Sequence, residues 1–587
     1  MPRPDPRFAW LTSARLFAAL VVLSVALAWW LNAASLGSGL YTDDHLQAAM
    51  LRGDYPAERS ALDLYSFSRT DEERAALITQ GVLPWWSHPE LELSALRPLA
   101  SASIALDHAL RLSPLARHWV SFLWLAALIW AASAWYRRLL PLPAAALATL
   151  LFAVDPAHVS PAGWLAHRTA LMCGVFGALA LARTSDYLKA PSRLGAARVL
   201  GLVSLALASG EYALGAVALA LPVIGLSAGA RSVRLQVLGL WGAPTLLYLG
   251  VHGLAGYGAV GSSAYVNLAS SPLLFGVALI ARWPALFMTE LLLVPSELVH
   301  GALVLRFWPS LLTVLALGAA VVLAGATMLR FGQTRRLALS LALGLGLSLV
   351  PLVATLPATR LLGVASLAGA ALIGLAGFEA ARAFRAGGVL RRALLAPLIG
   401  LTALLHLGLA PFATWQISRG VASSRAHLEQ AMQGASIPSG ADTLLVMNAY
   451  DLSLSSLGYA RAAKGHALPR SVWLLTSSPE AVVVERVDAR TLRLSTPRGT
   501  MLSDPAPFLF RSIDAPLRKG DQVTLPDFEV TVEEHAEHGY RRLLFRFRED
   551  LSGARFAPLY VDGSGALRAL TLPPEGERLT LPRPPLY

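Results

Sequence analysis

The stretch Leu16-Phe-Ala-Ala-Leu-Val-Val-Leu-Ser-Val-Ala-Leu-Ala-Trp-Trp-Leu31 carries no charge, no proline and no glycine. With its flanks it fills residues 14–34, close to the ~20 residues that cross ~30 Å of hydrocarbon. Arg3, Arg7 and Arg15 precede it. From about residue 115 to 413 the pattern repeats, with apolar runs of similar length separated by short arginine-bearing gaps. Hydrocarbon offers the backbone no hydrogen-bond partners, so runs of this kind fold as helices. Spans are expected at 14–34, 117–135, 139–156, 166–183, 197–210, 212–229, 235–255, 308–329, 337–356, 361–380 and 393–413. The fold class read from them is a polytopic α-helical membrane protein with about 11 transmembrane helices.

Composition agrees. Of 587 residues, 55% are hydrophobic and 15% charged, against about 25% charged in soluble domains. The net charge of +12 would suit a nucleic-acid partner, but the placement of the arginines argues against one. They sit at Arg137-Arg138, Arg183 to Arg198, Arg231 to Arg234, Arg330 to Arg336 and Arg382 to Arg392, in gaps between apolar runs. The positive-inside rule puts such gaps in the cytoplasm. Eleven spans then leave the C-terminus outside, in what is expected to be a bacterial cytoplasmic (inner) membrane. Asn32-Ala33-Ala34-Ser35 offers a signal-peptidase alternative for the first run; the later helices favour a signal-anchor. The lone Cys173 excludes an intrachain disulfide.

Three domains are expected. Residues 1–413 form the membrane domain, with an outer loop at 36–115; 414–480 form a small soluble α/β portion; 481–587 form a β-rich extracytoplasmic domain. Thr443 to Met447 and Val472 to Leu475 read as strands, with a helix over Leu452 to Lys464. Thr491 to Ser495, Glu529 to Val532 and Leu543 to Phe547 alternate as strands do. In the outer loop, Asp71 to Gln80 reads as a helix and Trp85-Trp86 as an interfacial anchor. Residues 197–229 divide better into two short helices than into one long one. The 273–296 segment, with Arg282 and Glu290 eight residues apart, reads as membrane-dipping or interfacial, and as crossing only if 197–229 is one long helix.

Four polar elements interrupt this pattern. Asp43 and Asp44, in Tyr41-Thr42-Asp43-Asp44-His45, lie about ten residues past the first span. Adjacent carboxylates near lipid favour a basic partner, a bound cation or one raised pKa. The ordinary alternative is a solvated loop. Asp155, His158, His167 and Arg168 share the turn Asp155-Pro-Ala-His158-Val-Ser-Pro161-Ala-Gly-Trp164-Leu-Ala-His167-Arg168, which makes either a polar cavity or an ordinary interfacial turn. Glu211 interrupts a run that is otherwise apolar from Val199 to Ala228, so it needs a partner or water. Arg360 sits at the outer end of a span, against the charge rule. A phosphate ligand would explain it, since guanidinium matches phosphate geometry. Snorkelling to lipid headgroups is the alternative.

In their order, these pieces resemble the GT-C glycosyltransferases, and most of all the transmembrane-and-TPR O-mannosyltransferase family and its bacterial relatives. The resemblance covers about residues 15–380. It rests on Asp43-Asp44 and on Arg97-Pro98-Leu99 with Ala105-Leu106-Asp107-His108 and His118. It rests also on Phe152 to Val159 with Trp164 to Arg168, on Ser209-Gly210-Glu211, and on Ala358-Thr359-Arg360-Leu361-Leu362. Asp155 stands where the family has histidine, Gly210 where it has lysine, and Thr359 and Leu361 where it has glutamate and tyrosine. The TPR array is absent.

The resemblance implies inverting transfer of a sugar from a polyprenyl-phosphate donor to an acceptor hydroxyl at the outer face. The partners are that donor, membrane lipid, and an acceptor glycan, lipid or protein. Asp43 is expected as the base, and Asp44 as its support or as a divalent-cation ligand. No cofactor is required, and a cation is permitted at Asp44. Arg360, Arg168 and His158 are expected on the donor phosphate, with Glu211, Asp155, His167 and Arg97 lining the cavity. Two rivals stand beside this reading. A transporter or flippase would need polar residues near the midplane. A non-catalytic membrane scaffold would need none in a converging arrangement.

Overall fold

The computed structural model describes residues 14–299, 334–434, 437–438, 440–503, 507–512, 514–536 and 539–585. The chain separates into two compact units. One comprises Met1–Gly37, Ala95–Tyr257 and Val266–Arg419; the other comprises Ser38–Ser94, Gly258–Tyr265 and Gly420–Tyr587.

The first unit is built from membrane-length helices. Among the described residues of the chain, eight helices are long and apolar enough to cross a bilayer; a bent pair at Leu142–Ala153 and Pro156–Gly163 makes nine if it counts as one span. The chain is a polytopic membrane protein with a β-rich C-terminal part. The expected span at 308–329 lies outside the described residues. Small side chains set the packing, as they do where helices associate without a hydrophobic drive. Gly374 shows this: a Cβ there would stand 2.8 Å from the Ala144 carbonyl oxygen and 2.9 Å from the Ala148 Cβ. Leucines on the outer helix Arg231–Leu254, among them Leu246 and Leu247, point outward as lipid-facing side chains do.

Two expectations meet different outcomes here. The 197–229 run does split, into Arg193–Ser209 and Ala213–Gly225. Gly210 makes the break at φ 147°, where a Cβ would stand 2.7 Å from Thr169 Oγ1. The lysine of the family pattern has no room in that conformation. The 273–296 segment, by contrast, is a 21-residue helix, Pro272–Leu292, long and apolar enough to cross. Its polar groups do not hold it at an interface. Arg282 is buried and donates to the Val353 carbonyl (3.0 Å), and Glu290 is buried and accepts from Ser366 (2.9 Å).

The helices have two distinct ends. At one, Arg138 meets Asp186 (2.8 Å), the Tyr187 hydroxyl meets Gln236 (3.2 Å) and Thr334 meets Glu379 (3.2 Å). This end carries the arginine-rich gaps. The opposite end carries the residues singled out at 155–168, 211 and 360.

The second unit draws its strands from three parts of the chain. Ser66–Ser68, Glu92–Ser94 and Gly258–Val260 form a small antiparallel sheet. Leu567–Ala569, Phe556–Val561, Thr443–Val446 and Ser471–Leu474, in that order, form a mixed sheet whose last three strands are parallel. Six antiparallel strands form the largest sheet, in the order Arg578–Thr580, Val483–Asp488, Thr491–Ser495, Gly539–Phe547, Phe528–Ala536, Gln522–Thr524. A division at residue 480 therefore runs through one sheet, because Phe556–Val561 pairs beside Thr443–Val446. A boundary at 413 likewise falls inside the helix Ala410–Gly434. The tryptophan pair is not an interfacial anchor. Trp85 and Trp86 are both 2% exposed; Trp85 donates to the Leu475 carbonyl (3.0 Å) and sits edge-on to Phe545 in the hydrophobic core of this unit.

Candidate functional site

The polar end of the first unit holds a continuous chain of contacts. Arg97 forms a two-point ion pair with Glu211, one bond of 2.9 Å and one shorter, which answers the charge in the middle of the apolar run. The Arg97 guanidinium also lies 5.7 Å from the centre of the Tyr212 ring. The Tyr212 hydroxyl bonds His167 Nε2 (2.9 Å), and His167 Nδ1 bonds the Ser160 hydroxyl (3.1 Å). The His167 ring packs on Trp164, with centroids 5.8 Å apart, and Arg360 lies 5.5 Å over the same indole.

The turn that presents Arg360 is held from outside. Glu297 accepts from the Thr359 amide (2.8 Å) and from its hydroxyl (3.0 Å). A carboxylate thus reaches the position where the family pattern has glutamate, supplied by a distant residue. Arg360 forms no ion pair among the described residues, and the stretch 300–333 contains no aspartate or glutamate to supply one. It is half-buried and backed by a tryptophan.

The turn of Asp155 and His158 packs against the Arg360 turn. Asp155 caps its short helix by accepting from the Ala157 amide (2.8 Å). His158 is 1% exposed and its Nε2 bonds the Phe152 carbonyl (2.8 Å), so Nε2 carries the hydrogen. Its Nδ1, left as an acceptor, has no hydrogen-bond partner among the described residues, and Gly363 lies beside it.

Arg168 departs from expectation. It is 1% exposed and each of its three nitrogens is engaged inside the protein: Nε with Ser121 (3.0 Å), one terminal nitrogen with Ser103 (3.0 Å) and Asp107 (2.7 Å), the other with the Arg117 carbonyl (2.8 Å). Burial pushes the Asp107 carboxyl up against the pull of Arg168. This pair ties the start of the 168–189 helix to the 98–109 helix and presents no open face to a phosphate.

Asp43 and Asp44 belong to the second unit and open the helix Asp43–Arg52, where the helix dipole favours carboxylates. Thr42 before them has φ 30°, a left-handed conformation unfavourable for a β-branched residue. Strain of this kind persists where surrounding structure imposes it, often at functional sites. Here the Thr42 hydroxyl bonds Ser453 (2.6 Å) and Arg425 lies 4.7 Å over the Tyr41 ring. Asp44 is buried and accepts from the Tyr41 amide (3.0 Å), while Asp43 is the more exposed of the two. Burial, aided by Arg52, pushes the His45 imidazole down to about 4, so it is neutral at pH 7. Among the described residues, no three His, Cys, Asp or Glu side chains are placed to hold a metal ion.

The structure therefore gathers Arg97, Asp155, His158, His167, Glu211 and Arg360 at one helix end, and turns Arg168 inward. Tyr212, Trp164 and Glu297 carry contacts that the sequence analysis did not assign to them. Tyr212 beside Glu211 was the one available signal.

No protein-family model matches the chain, and no curated protein matches it. Among solved structures it is similar to the apo oligosaccharyltransferase of Archaeoglobus fulgidus, with 11% identity and a TM-score of 0.42 over 79% of this chain and 65% of that one. It is similar also to AglB of the same organism in complex with an inhibitory peptide and a dolichol-phosphate, with 13% identity and a TM-score of 0.39 over 78% and 64% of the two chains. ArnT from Cupriavidus metallidurans bound to undecaprenyl phosphate is similar at 13% identity and a TM-score of 0.36, over 91% of this chain and 99% of that one. The chain spans about 64% of the length of the archaeal enzyme. These likenesses are too distant to assign a role to any residue.

Proposed function

We propose that the chain is a membrane glycosyltransferase of the GT-C kind, moving a sugar from a polyprenyl-phosphate donor to an acceptor hydroxyl with inversion. The observation that carries this reading is the run of contacts from Glu211 through Arg97, Tyr212, His167 and Trp164 to Arg360. It supports the reading because Arg360, without a carboxylate partner among the described residues, stands at a helix end beside a polar wall. A transporter needs such groups near the midplane, whereas the polar chain here lies at the end away from the arginine-rich gaps.

In the proposed reaction the acceptor oxygen attacks the anomeric carbon and its proton passes to the Asp43 carboxylate. The bond from that carbon to the lipid phosphate breaks as the new one forms. The leaving phosphate carries its own negative charge and needs stabilisation more than protonation, which Arg360 supplies. Glu211 holds Arg97, and His158 and Asp155 shape the turn against which Arg360 rests. Arg168 acts as a support. The acceptor is a glycan, lipid or protein hydroxyl, and no step needs a metal.

Purified full-length protein with a short-chain polyprenyl-phosphate sugar is expected to transfer the sugar, and Asp43→Asn to abolish transfer with unchanged thermal unfolding. Near-normal turnover in that variant would remove Asp43 as the base. From the arginine-rich gaps we infer that residues 415–587 lie outside the cytoplasm of a bacterial inner membrane. A C-terminal reporter active only in the cytoplasm should be silent; a strong signal would reverse the orientation.

A further inference from the structure

One face of the six-stranded sheet in the second unit is the wall of a hydrophobic core. Val484, Leu492, Leu494, Val530, Val532, Leu543 and Phe545 are all buried on it. The opposite face carries an open, solvent-facing pocket of about 460 Å³ lined by Glu485, Arg493, Ser495, Glu533, Arg542 and Arg578. Among the described residues, only polar and charged side chains line it. This excludes a prenyl chain or any ligand held by burial of apolar surface.

The charges on this face are tied to one another unevenly. Arg493 grips Glu533 with two bonds (2.8 and 3.2 Å) and reaches Glu485 at 3.2 Å. Both carboxylates are therefore fixed in place, with oxygens left to accept from hydroxyl groups. Arg578 touches Glu485 only at 3.4 Å and is 69% exposed. Arg542 touches Glu534 at 3.5 Å and is 47% exposed, and it shares that carboxylate with Arg541 at 4.0 Å. The strand register is broken on both sides of Arg542, the signature of a bulge that re-aims a side chain. Among the described residues, four arginines, 493, 541, 542 and 578, thus stand against three glutamates, 485, 533 and 534. The surplus positive charge lies with the loosely held pair, Arg542 and Arg578.

We propose that this pocket binds a phosphorylated sugar. Arg542 takes the oxyanion, as a guanidinium with uncommitted N–H donors does, while Arg578, three strands away in the sheet, borders the opposite end of the site. The fixed Glu485, Glu533 and Ser495 accept from the sugar hydroxyls. A bare phosphate would leave these acceptors unused and fill little of the pocket; a neutral sugar would leave Arg542 without its anion. The site is separate from the Asp43 and Arg360 roles and does not rest on them.

Glucose 6-phosphate, glucose and inorganic phosphate are the probes, titrated calorimetrically into the full-length protein in detergent. Glucose 6-phosphate is expected to saturate, with glucose and phosphate each weaker by about tenfold or more. The double variant Arg542→Ala/Arg578→Ala is expected to weaken glucose 6-phosphate by about tenfold or more with unchanged thermal unfolding, since both side chains are exposed. Arg360→Ala should bind it as the parent does. Absence of saturable binding, equal affinity in the double variant, loss of binding in Arg360→Ala, or phosphate binding as tightly as the sugar phosphate would each overturn the proposal.

Discussion

Arg168 and Arg360 lie in the same helical unit, and their sequence neighbourhoods suggested the same role. Their surroundings are opposite. Arg168 is buried with all three nitrogens engaged and Asp107 as its counter-charge. Arg360 leans on Trp164 and has no ion-pair partner among the described residues. A guanidinium whose donors are used internally holds helices together; one whose donors are open is placed to hold a ligand. Residue type and membrane depth do not separate these two uses. The presence of a carboxylate from another part of the chain does.

Substitution tests this contrast most strongly at Arg168. Removing one partner of a buried ion pair leaves the other uncompensated, which costs about 3–5 kcal/mol. Arg168→Ala is therefore expected to lower thermal stability and yield sharply, and Asp107→Ala to do the same. A variant as stable as the parent, but weakened in lipid-phosphate binding, would move Arg168 into the ligand site.

Arg360→Ala should behave in the reverse way, leaving the melting temperature unchanged. Its lost contact is a charge-assisted one worth about 1.5–3 kcal/mol, so affinity for a short-chain prenyl phosphate should fall roughly tenfold to a hundredfold. Arg360→Lys should recover only part, because lysine offers a point charge where arginine offers two parallel donors. Full recovery by lysine, or unchanged affinity in Arg360→Ala, would point to headgroup snorkelling instead.

The smallest effect is expected at Trp164. The cation–π contact is worth about 0.5–1 kcal/mol where solvent reaches it. Trp164→Leu should weaken prenyl-phosphate binding by about twofold to fivefold. No change would mean that the indole does not hold Arg360 in its working pose.

Much of this molecule was legible along the chain, because a bilayer imposes a one-dimensional rule. Apolar length marks the spans, arginine placement marks their shared end, and the two together divide 197–229, which is too long for one span. Glu211 could be picked out as needing a partner, since a lone carboxylate in an apolar run is unfavourable. Arg97 as that partner could not be picked out, lying more than a hundred positions away. The same limit explains Trp85-Trp86, whose composition suits a membrane interface as well as the core beneath Leu475 and Phe545. It explains the 272–292 helix too, whose Arg282 and Glu290 look interfacial until Val353 and Ser366 are seen beside them.

The sequence by itself thus determined the class of protein, the two chemically different helix ends and the short roll of polar residues that a membrane chain does not keep without reason. Only the tertiary structure decided which of those residues are already satisfied. Hydropathy is summed over neighbours in sequence, and so survives without coordinates. The availability of a charge depends on what stands within about 3 Å of it, and for Arg168 and Arg97 those groups come from distant parts of the chain.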